Sequence, residues 1–198
     1  MSFDTMLIII SLLLLAGGVG KRTLDCSGVS RRAAVSFFIV LAALSHFKLS
    51  LSDGVRISPA CITAAVWPLV FAFRKRAACR APQLILPLAA LCGITASALM
   101  PYVGGEGGAL FASVLTSAAA GALAGLPFGL AFSGSFTLFL ITAGGVAEAL
   151  ESGIMFLELT NGALACQLAG MLAVCSCALI KQTLRTSVRT YSDERTVK

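Results

Sequence analysis

The fold is decided by residues 107–147, which read GGALFASVLTSAAAGALAGLPFGLAFSGSFTLFLITAGGVA. These 41 consecutive residues contain no charged side chain. A helix needs about 20 apolar residues to cross the hydrocarbon core of a bilayer, so this stretch alone has room for two crossings. It predicts two neighbouring membrane helices, or a re-entrant hairpin if the chain turns back before reaching the far side.

The composition of the whole chain agrees with this prediction. Of the 198 residues, 58% are hydrophobic and 12% are charged, and the mean hydropathy is +0.93. A soluble domain is roughly half apolar and about a quarter charged. The apolar runs are continuous rather than alternating, which favours membrane helices over a membrane barrel. The predicted fold class is therefore an all-α, polytopic integral membrane helix bundle.

Seven apolar segments are expected to form about seven transmembrane helices. They cover residues 6–20, 33–47, 57–73, 81–102, 108–126, 128–147 and 154–180. If the pair 108–126 and 128–147 is a re-entrant hairpin, the spans number six. The prediction is a single transmembrane domain over residues 1–180, followed by a basic cytoplasmic tail over residues 181–198.

The distribution of Lys and Arg predicts the orientation of the bundle. With the N-terminus outside and the C-terminus inside, thirteen of the fifteen basic residues fall on inner segments. Only Lys48 and Arg56 fall on outer segments, as the positive-inside rule requires. This topology explains the formal net charge of +6, so no nucleic-acid partner is predicted. The expected location is the cytoplasmic (inner) membrane of a prokaryote.

A candidate binding site is predicted at the outer ends of the helices. Glu158 falls within the segment 154–180, and a carboxylate inside a membrane helix usually faces a partner or a water-filled cavity. Helical spacing would place Asn161 on its face and Glu151 two turns back. With Glu148 and His46, these residues predict an outward-facing acidic and polar site for a cation, a proton or a small amine-like solute. The alternative is that they are solvated residues of outer loops.

Two further patterns predict contacts between helices. Ser117, Gly121 and Gly125 are spaced four residues apart, so they share a helix face that permits close approach of a second backbone. The pattern does not say whether that second helix belongs to this chain or to another subunit. Gln167 is expected to form a hydrogen bond between helices or, alternatively, to line a path for a solute.

No arrangement of residues predicts an enzyme. Ser133 and Ser135 offer hydroxyl groups, but His46 is the one histidine of the chain and is predicted near the opposite membrane face. The seven cysteines form no CxxC pair and no Cys/His spacing typical of a metal site. The chain is therefore predicted to have no catalytic residues, no metal and no cofactor.

Three stretches near the second and third segments carry a resemblance. They read SHFKLSL at residues 45–51, VRISPA at 55–60 and AAVWPL at 64–69, and a later small-residue patch reads AGGV at 143–146. Together they resemble a family of uncharacterised prokaryotic polytopic membrane proteins. The resemblance implies a membrane protein of unknown function and assigns no role to any residue.

The sequence thus predicts a small membrane transporter, or the substrate-binding membrane subunit of one. The alternative is a non-catalytic assembly or scaffold protein that acts through helix contacts at Ser117, Gly121 and Gly125. The expected partners are the lipid bilayer and either a second copy of the chain or a partner membrane subunit. The two functions differ in the interior of the bundle, because a transporter needs a polar cavity that reaches the membrane midplane from one side, whereas a scaffold can have a dry, fully packed interior.

Overall fold

A computed structural model describes residues 3–16, 30–52, 54–74, 81–103 and 107–196. Within these residues the chain is mostly helical, with seven α-helices, one short 3-10 helix and three short strands. The helices are α1 (Phe3–Ala16), α2 (Arg31–Ser45), α3 (Pro59–Arg74), α4 (Ile85–Val103), α5 (Gly108–Ala124), α6 (Leu126–Ser152) and α7 (Asn161–Thr196). The strands are β1 (Leu49–Ser52), β2 (Val55–Ile57) and β3 (Leu157–Leu159), and the 3-10 helix is Pro82–Leu84.

Three helical stretches are long and apolar enough to cross a membrane. They are Pro82–Met100, Leu126–Ser152 and Asn161–Leu184, with 19, 27 and 24 residues. The helices α3 and α5 are apolar but shorter, with 16 and 17 residues. Each of the seven predicted segments corresponds to one α-helix in the described part of the chain, so the prediction of a mostly helical protein is confirmed.

Several predicted boundaries are wrong, each for a local reason. The fifth and sixth helices separate at Gly125, whose φ of 92° and ψ of 172° are accessible to glycine alone, and not at the expected residues 126–128. The last helix begins at Asn161 rather than at residue 154, and it continues to Thr196 with no end at residue 180. The final residues of the predicted first segment, 17–20, lie outside the described residues.

A three-stranded sheet lies between helices, and the all-α prediction misses it. β1 and β2 form an antiparallel hairpin, and β3 joins β2 in parallel. The Ser58 amide donates to the carbonyl oxygen of Leu159, and the Leu157 amide donates to that of Gly54, each at 2.8 Å. The sheet therefore joins two parts of the chain that are about a hundred residues apart.

The helix α6 is the centre of the bundle. Its residues 131–137 are all buried, and it packs against α3, α4, α5 and α7. A Cβ added at Gly134 would lie 2.6 Å from the carbonyl oxygen of Ala64 on α3. A Cβ added at Gly93 on α4 would lie 2.7 Å from the Cβ of Phe139. Glycine at these positions lets neighbouring backbones approach α6 closely, as is typical of membrane helices.

The last helix, α7, belongs to one of the two hydrophobic cores. Its buried residues Leu164, Leu168 and Met171 belong to a cluster formed with α1, α2, α3 and β3. The other cluster lies between α6 and α4 and includes Phe132 and Phe136, whose stacked rings have centroids 5.7 Å apart. Further along α7, the Lys181 ammonium donates to the Ala122 carbonyl oxygen in the last turn of α5, at 3.1 Å.

Candidate functional site

The five predicted site residues lie near the sheet or at the helix ends that adjoin it. His46 follows α2, and Glu148 and Glu151 lie on the last two turns of α6; all three are exposed. Glu158 lies on β3 and is exposed, and Asn161 is the half-buried first residue of α7. No hydrogen bond or ion pair joins one of these five described residues to another, so they do not form a preassembled cluster.

The prediction that Glu158 lies inside a helix is wrong. Leu157 and Leu159 are each 7% exposed and Glu158 between them is exposed, which is the alternation of a half-buried strand. Gly153 has a φ of 72° and lies just after the end of α6, so the chain leaves the helix before Glu158. The helical spacings expected for Asn161 and Glu151 therefore do not apply. The Leu-Glu-Leu pattern was present in the sequence, within a segment apolar enough to suggest one continuous helix.

The surroundings of Glu158 are polar. In the parallel register between β2 and β3, Arg56 lies opposite Glu158, so the two side chains project from the same face of the sheet. The Thr160 hydroxyl donates to Glu158 Oε1 at 3.1 Å. The Glu158 carboxylate is therefore in contact with solvent, and it also accepts a hydrogen bond from a buried residue, Thr160.

A series of hydrogen bonds starts at Glu158 and enters the helix bundle. Thr160, which donates to Glu158, accepts at its backbone carbonyl from Cys61 Sγ at 3.2 Å. The carbonyl oxygen of Cys61 accepts from Gln167 Nε2 at 3.1 Å. The carbonyl oxygen of Gln167 accepts from the Ser133 hydroxyl at 3.2 Å. Each step shares a residue with the next, so the bonds form one connected path through α3, α6 and α7.

The path ends at two hydroxyl groups between α5 and α6. The Thr137 hydroxyl donates to the carbonyl oxygen of Ser133 at 3.1 Å and lies 3.1 Å from the Ser113 hydroxyl. Because Thr137 has a single hydroxyl proton, Ser113 is the donor to Thr137. We name the whole path the polar thread. Its members are Glu158, Thr160, Cys61, Gln167, Ser133, Thr137 and Ser113.

The polar thread leads from the surface to the fully buried core. Glu158 is exposed, Thr160 is 8% exposed, and Cys61, Gln167, Ser133, Thr137 and Ser113 are each 0% exposed. With a helical rise of 1.5 Å per residue, Gln167 lies about 9 Å from the start of α7. Ser113 lies about 8 Å from the start of α5. The thread therefore penetrates two helical turns from the sheet end of the bundle.

Gln167 is the branch point of the polar thread. Its Nε2 group donates to the carbonyl oxygens of Cys61 and Gly134, both at 3.1 Å. Both partners are acceptors, so the amide must present its nitrogen to them and its oxygen elsewhere. Gln167 Oε1 is buried and has no hydrogen-bond partner. The expected interhelical hydrogen bond is present, and the amide also leaves one acceptor unused.

Two other buried oxygen atoms have no partner. They are Ser117 Oγ on α5 and Asn161 Oδ1 at the start of α7. Ser117 Oγ would lie 2.8 Å from a Cβ added at Gly170, and the Ser133 hydroxyl oxygen would lie closer still. A buried polar atom without a partner is uncommon in folded proteins, because the lost hydration is not replaced.

The small-residue pattern on α5 has an internal partner. A Cβ added at Gly121 would lie 2.8 Å from Val174 Cγ1, and one added at Gly129 would lie 2.7 Å from Gly121 Cα. Ser117 and Gly121 therefore face α7 and α6 of the same chain. Gly125 does not belong to this contact, since a Cβ there would meet nothing within 4 Å. Gly125 serves the break between α5 and α6, where a positive φ is required.

Sequence reasoning missed most of the polar thread. Ser113 and Ser117 are four residues apart, as are Ser133 and Thr137, so each pair follows one face of its helix. Hydroxyl groups at this spacing on two neighbouring apolar helices are the signal that could have found the thread. Cys61 and Thr160 carry no such signal, because their bond depends on the position of the sheet.

The described residues contain no cluster of three His, Cys, Asp or Glu side chains that could hold a metal ion. Comparison with known proteins returns no family: no protein-family model, no curated protein and no solved structure matches the chain. The resemblance to uncharacterised prokaryotic membrane proteins stays a prediction.

Proposed function

We propose that the protein is a small integral membrane transporter, located in the cytoplasmic membrane of a prokaryote. Seven helices lie in or along the bilayer, with the N-terminus outside and the C-terminus inside. Support comes from the three long apolar helices, from the uncharged stretch of 41 residues and from the positions of Lys and Arg. The shorter helices complete the bundle by packing around α6 and α7.

The polar thread is the observation that carries a transport function. Substrate and ion sites of secondary transporters lie near the bilayer midplane, where polar residues are otherwise costly. Ser117 is not a member of the thread and lies one turn beyond Ser113, as the tenth of the 17 residues of α5. Gly170, whose Cβ position Ser117 and the thread residue Ser133 approach, is the tenth residue of α7. The hydroxyl groups around Gly170 thus lie about 14 Å from the sheet end of both helices, near half the thickness of a bilayer core.

In this proposal Glu158 is the outer end of the route. Its exposed carboxylate attracts a cationic solute or a proton, and Thr160 connects it to the buried part of the thread. Glu148, Glu151 and Asn161 add acceptor groups around the same end of the bundle, and His46 adds a polar group at the end of α2. The solute then moves inward along α7 toward Gln167.

Reconstituted vesicles test the proposal. Purified protein is incorporated into liposomes, and uptake of radiolabelled rubidium, sodium and methylammonium is compared with uptake by empty liposomes. We expect uptake that depends on the protein and falls at least tenfold in Glu158→Gln, because the variant removes the outer charge. Ser176→Ala is the matched control, since Ser176 is exposed on α7 and bonds only within its own helix. Folded protein that gives no uptake above empty liposomes would contradict the proposal.

The helix face predicted to carry the scaffold function is in contact with other helices of the same chain. Ser117 and Gly121 face α6 and α7 of the same chain, so they are not available to a second protein. A scaffold function would have to use a different face of the molecule. The polar thread also has no role in it, and for this reason we favour transport.

A further inference from the structure

The unused carbonyl oxygen of Gln167 defines the kind of species that fits next to it. The amide orientation is fixed by two backbone acceptors, so Oε1 is an acceptor that needs a hydrogen-bond donor or a cation. Gln167 is 0% exposed, and leaving such an oxygen empty carries a desolvation penalty. An anion or a group with only acceptors would be repelled at this position.

The route that leads to Gln167 also presents acceptor oxygens. Glu158 carries a formal negative charge at the surface, and Asn161 Oδ1 is buried without a partner at the start of α7. No Lys or Arg occurs between residues 107 and 147 or between residues 161 and 180, so neither α5, nor the apolar part of α6, nor the first twenty residues of α7 supplies a positive charge. Within the described residues, Gln167 Oε1 and Asn161 Oδ1 have no hydrogen-bond donor.

Two helices begin near the proposed cation position, and the partial positive charge of a helix N-terminus disfavours a cation. Both N-termini are too far from Gln167 for this effect to matter. Helix N-termini carry partial positive charge, and α3 and α7 both begin next to the sheet, at Pro59 and Asn161. This effect falls off within the first turn and favours the carboxylate of Glu158. Gln167 is the seventh residue of α7 and lies beyond that turn. The groups that bond to its amide are the carbonyl oxygens of Cys61 and Gly134, which carry no formal charge.

Neutral oxygens discriminate between cations of different charge. Divalent cations are hard ions that use carboxylate ligands, and the described residues contain no cluster of three acidic, His or Cys side chains. Carbonyl oxygens are the groups that replace the hydration shell of monovalent ions in channels. We infer that Gln167 Oε1 is part of a buried binding position for a small monovalent cation, either an alkali metal ion or an ammonium group.

This inference deepens the proposed function and rests on it, because the bound cation would be the cargo or the coupling ion of transport. Binding and transport are nevertheless separate measurements. Cation binding at Gln167 without uptake into liposomes would leave the inference standing and overturn the transport proposal. Uptake into liposomes without cation binding at Gln167 would leave the transport proposal standing and overturn the inference.

Thermal unfolding of the full chain in a non-ionic detergent is the first test. The chloride salts of sodium, potassium, caesium, ammonium, calcium and N-methyl-D-glucamine are compared at constant ionic strength. A cation that binds only the folded state raises Tm with the logarithm of its concentration above Kd, by about 5 °C at a hundredfold excess over Kd. We expect this rise for at least one small monovalent cation, and the sodium, potassium and ammonium arms separate an alkali ion from an ammonium group.

Two results of that experiment would overturn the inference. Equal Tm values in all salts mean that a water molecule or nothing occupies the position. A rise with calcium alone means that surface carboxylates bind the ion. N-methyl-D-glucamine is too large for a buried position and serves as the reference for ionic strength.

Variants of Gln167 assign the effect to its side chain. Gln167→Met removes the acceptor and should raise the Kd of the cation at least tenfold. Ser176→Ala should leave the Kd unchanged. Gln167→Glu keeps an oxygen in place and adds negative charge, so it should strengthen binding by tenfold or more. Wild-type affinity in both Gln167 variants would overturn the inference.

A measurement on the unmodified protein covers the case in which neither variant folds. Crystals grown with rubidium chloride give an anomalous signal at each bound ion. A peak within coordination distance of Gln167 Oε1 supports the inference. Rubidium peaks confined to the surface, with none next to Gln167, would overturn it.

Discussion

Gly170 lies where α5, α6 and α7 meet, and there is no room for a Cβ atom at this position. A Cβ at this position would contact the hydroxyl oxygen of Ser133, lie 2.8 Å from Ser117 Oγ and lie 3.1 Å from the carbonyl oxygen of Ser113. One of these neighbours is backbone and cannot rotate away. Gly170→Ala should therefore lower the free energy of unfolding by about 1–3 kcal/mol, the usual cost of overpacking.

The matched control for Gly170→Ala is Gly162→Ala on the same helix. A Cβ at Gly162 would meet nothing within 4 Å, and alanine favours a helix, so the variant should be neutral or slightly stabilising. Unfolding in detergent, followed by circular dichroism, compares the two variants. Equal stabilities would mean that the three helices are less closely packed than the structure indicates.

At the scale of elements, the break between α5 and α6 depends on one residue. Gly125 has a φ of 92° and a ψ of 172°, a conformation that costs other residues about 1–3 kcal/mol. Gly125→Ala should destabilise the fold by that amount, although a Cβ there would meet no other atom. Gly107→Ala is the control, because Gly107 is equally open and has a φ of −91°. A Gly125→Ala variant as stable as Gly107→Ala would show that the chain turns differently.

Averaging hydropathy over a long segment predicted the helices, and the same averaging concealed the strands. Hydropathy averaged over a span identifies each α-helix of the described residues. It also includes β3 in an apolar segment, because two leucines flank Glu158. The alternation of a three-residue strand is too short to be recognised among about twenty apolar neighbours. The hairpin at residues 49–57 was treated as an outer loop, because its pairing with β3 is a long-range contact that a local pattern does not contain.

The sequence predicted which end of the bundle carries the acidic residues, and the binding site itself stays a prediction. The acidic residues were expected at one end of the bundle, and the exposed Glu148, Glu151 and Glu158 lie near or beside the sheet. The buried part of the site depends on which helix faces come together, and spacing on a single helix cannot give that. Gln167 was recognised as a residue that bonds between helices, but its acceptors on α3 and α6 are fixed only by tertiary packing.

For the whole molecule, the distribution of basic residues makes a prediction about orientation. A green fluorescent protein fused after residue 198 should fluoresce in a bacterial host, and an alkaline phosphatase fused there should be inactive, because the C-terminus is expected inside. Phosphatase fused after residue 152 should be active, since six helices precede it. Phosphatase activity at residue 198 without fluorescence would mean that the bundle is inserted the other way round.

The parallel pairing of β2 with β3 has a consequence for the time at which the molecule is completed during synthesis. Arg56 on β2 and its partner Glu158 on β3 are 102 residues apart (158 − 56), so β2 leaves the ribosome well before its partner exists. At about 5–20 residues per second, that interval is roughly 5–20 s. The hairpin keeps an unpaired strand edge throughout it, and such edges attract other chains. The nascent protein is thus most vulnerable to faulty pairing until β3 emerges and covers that edge.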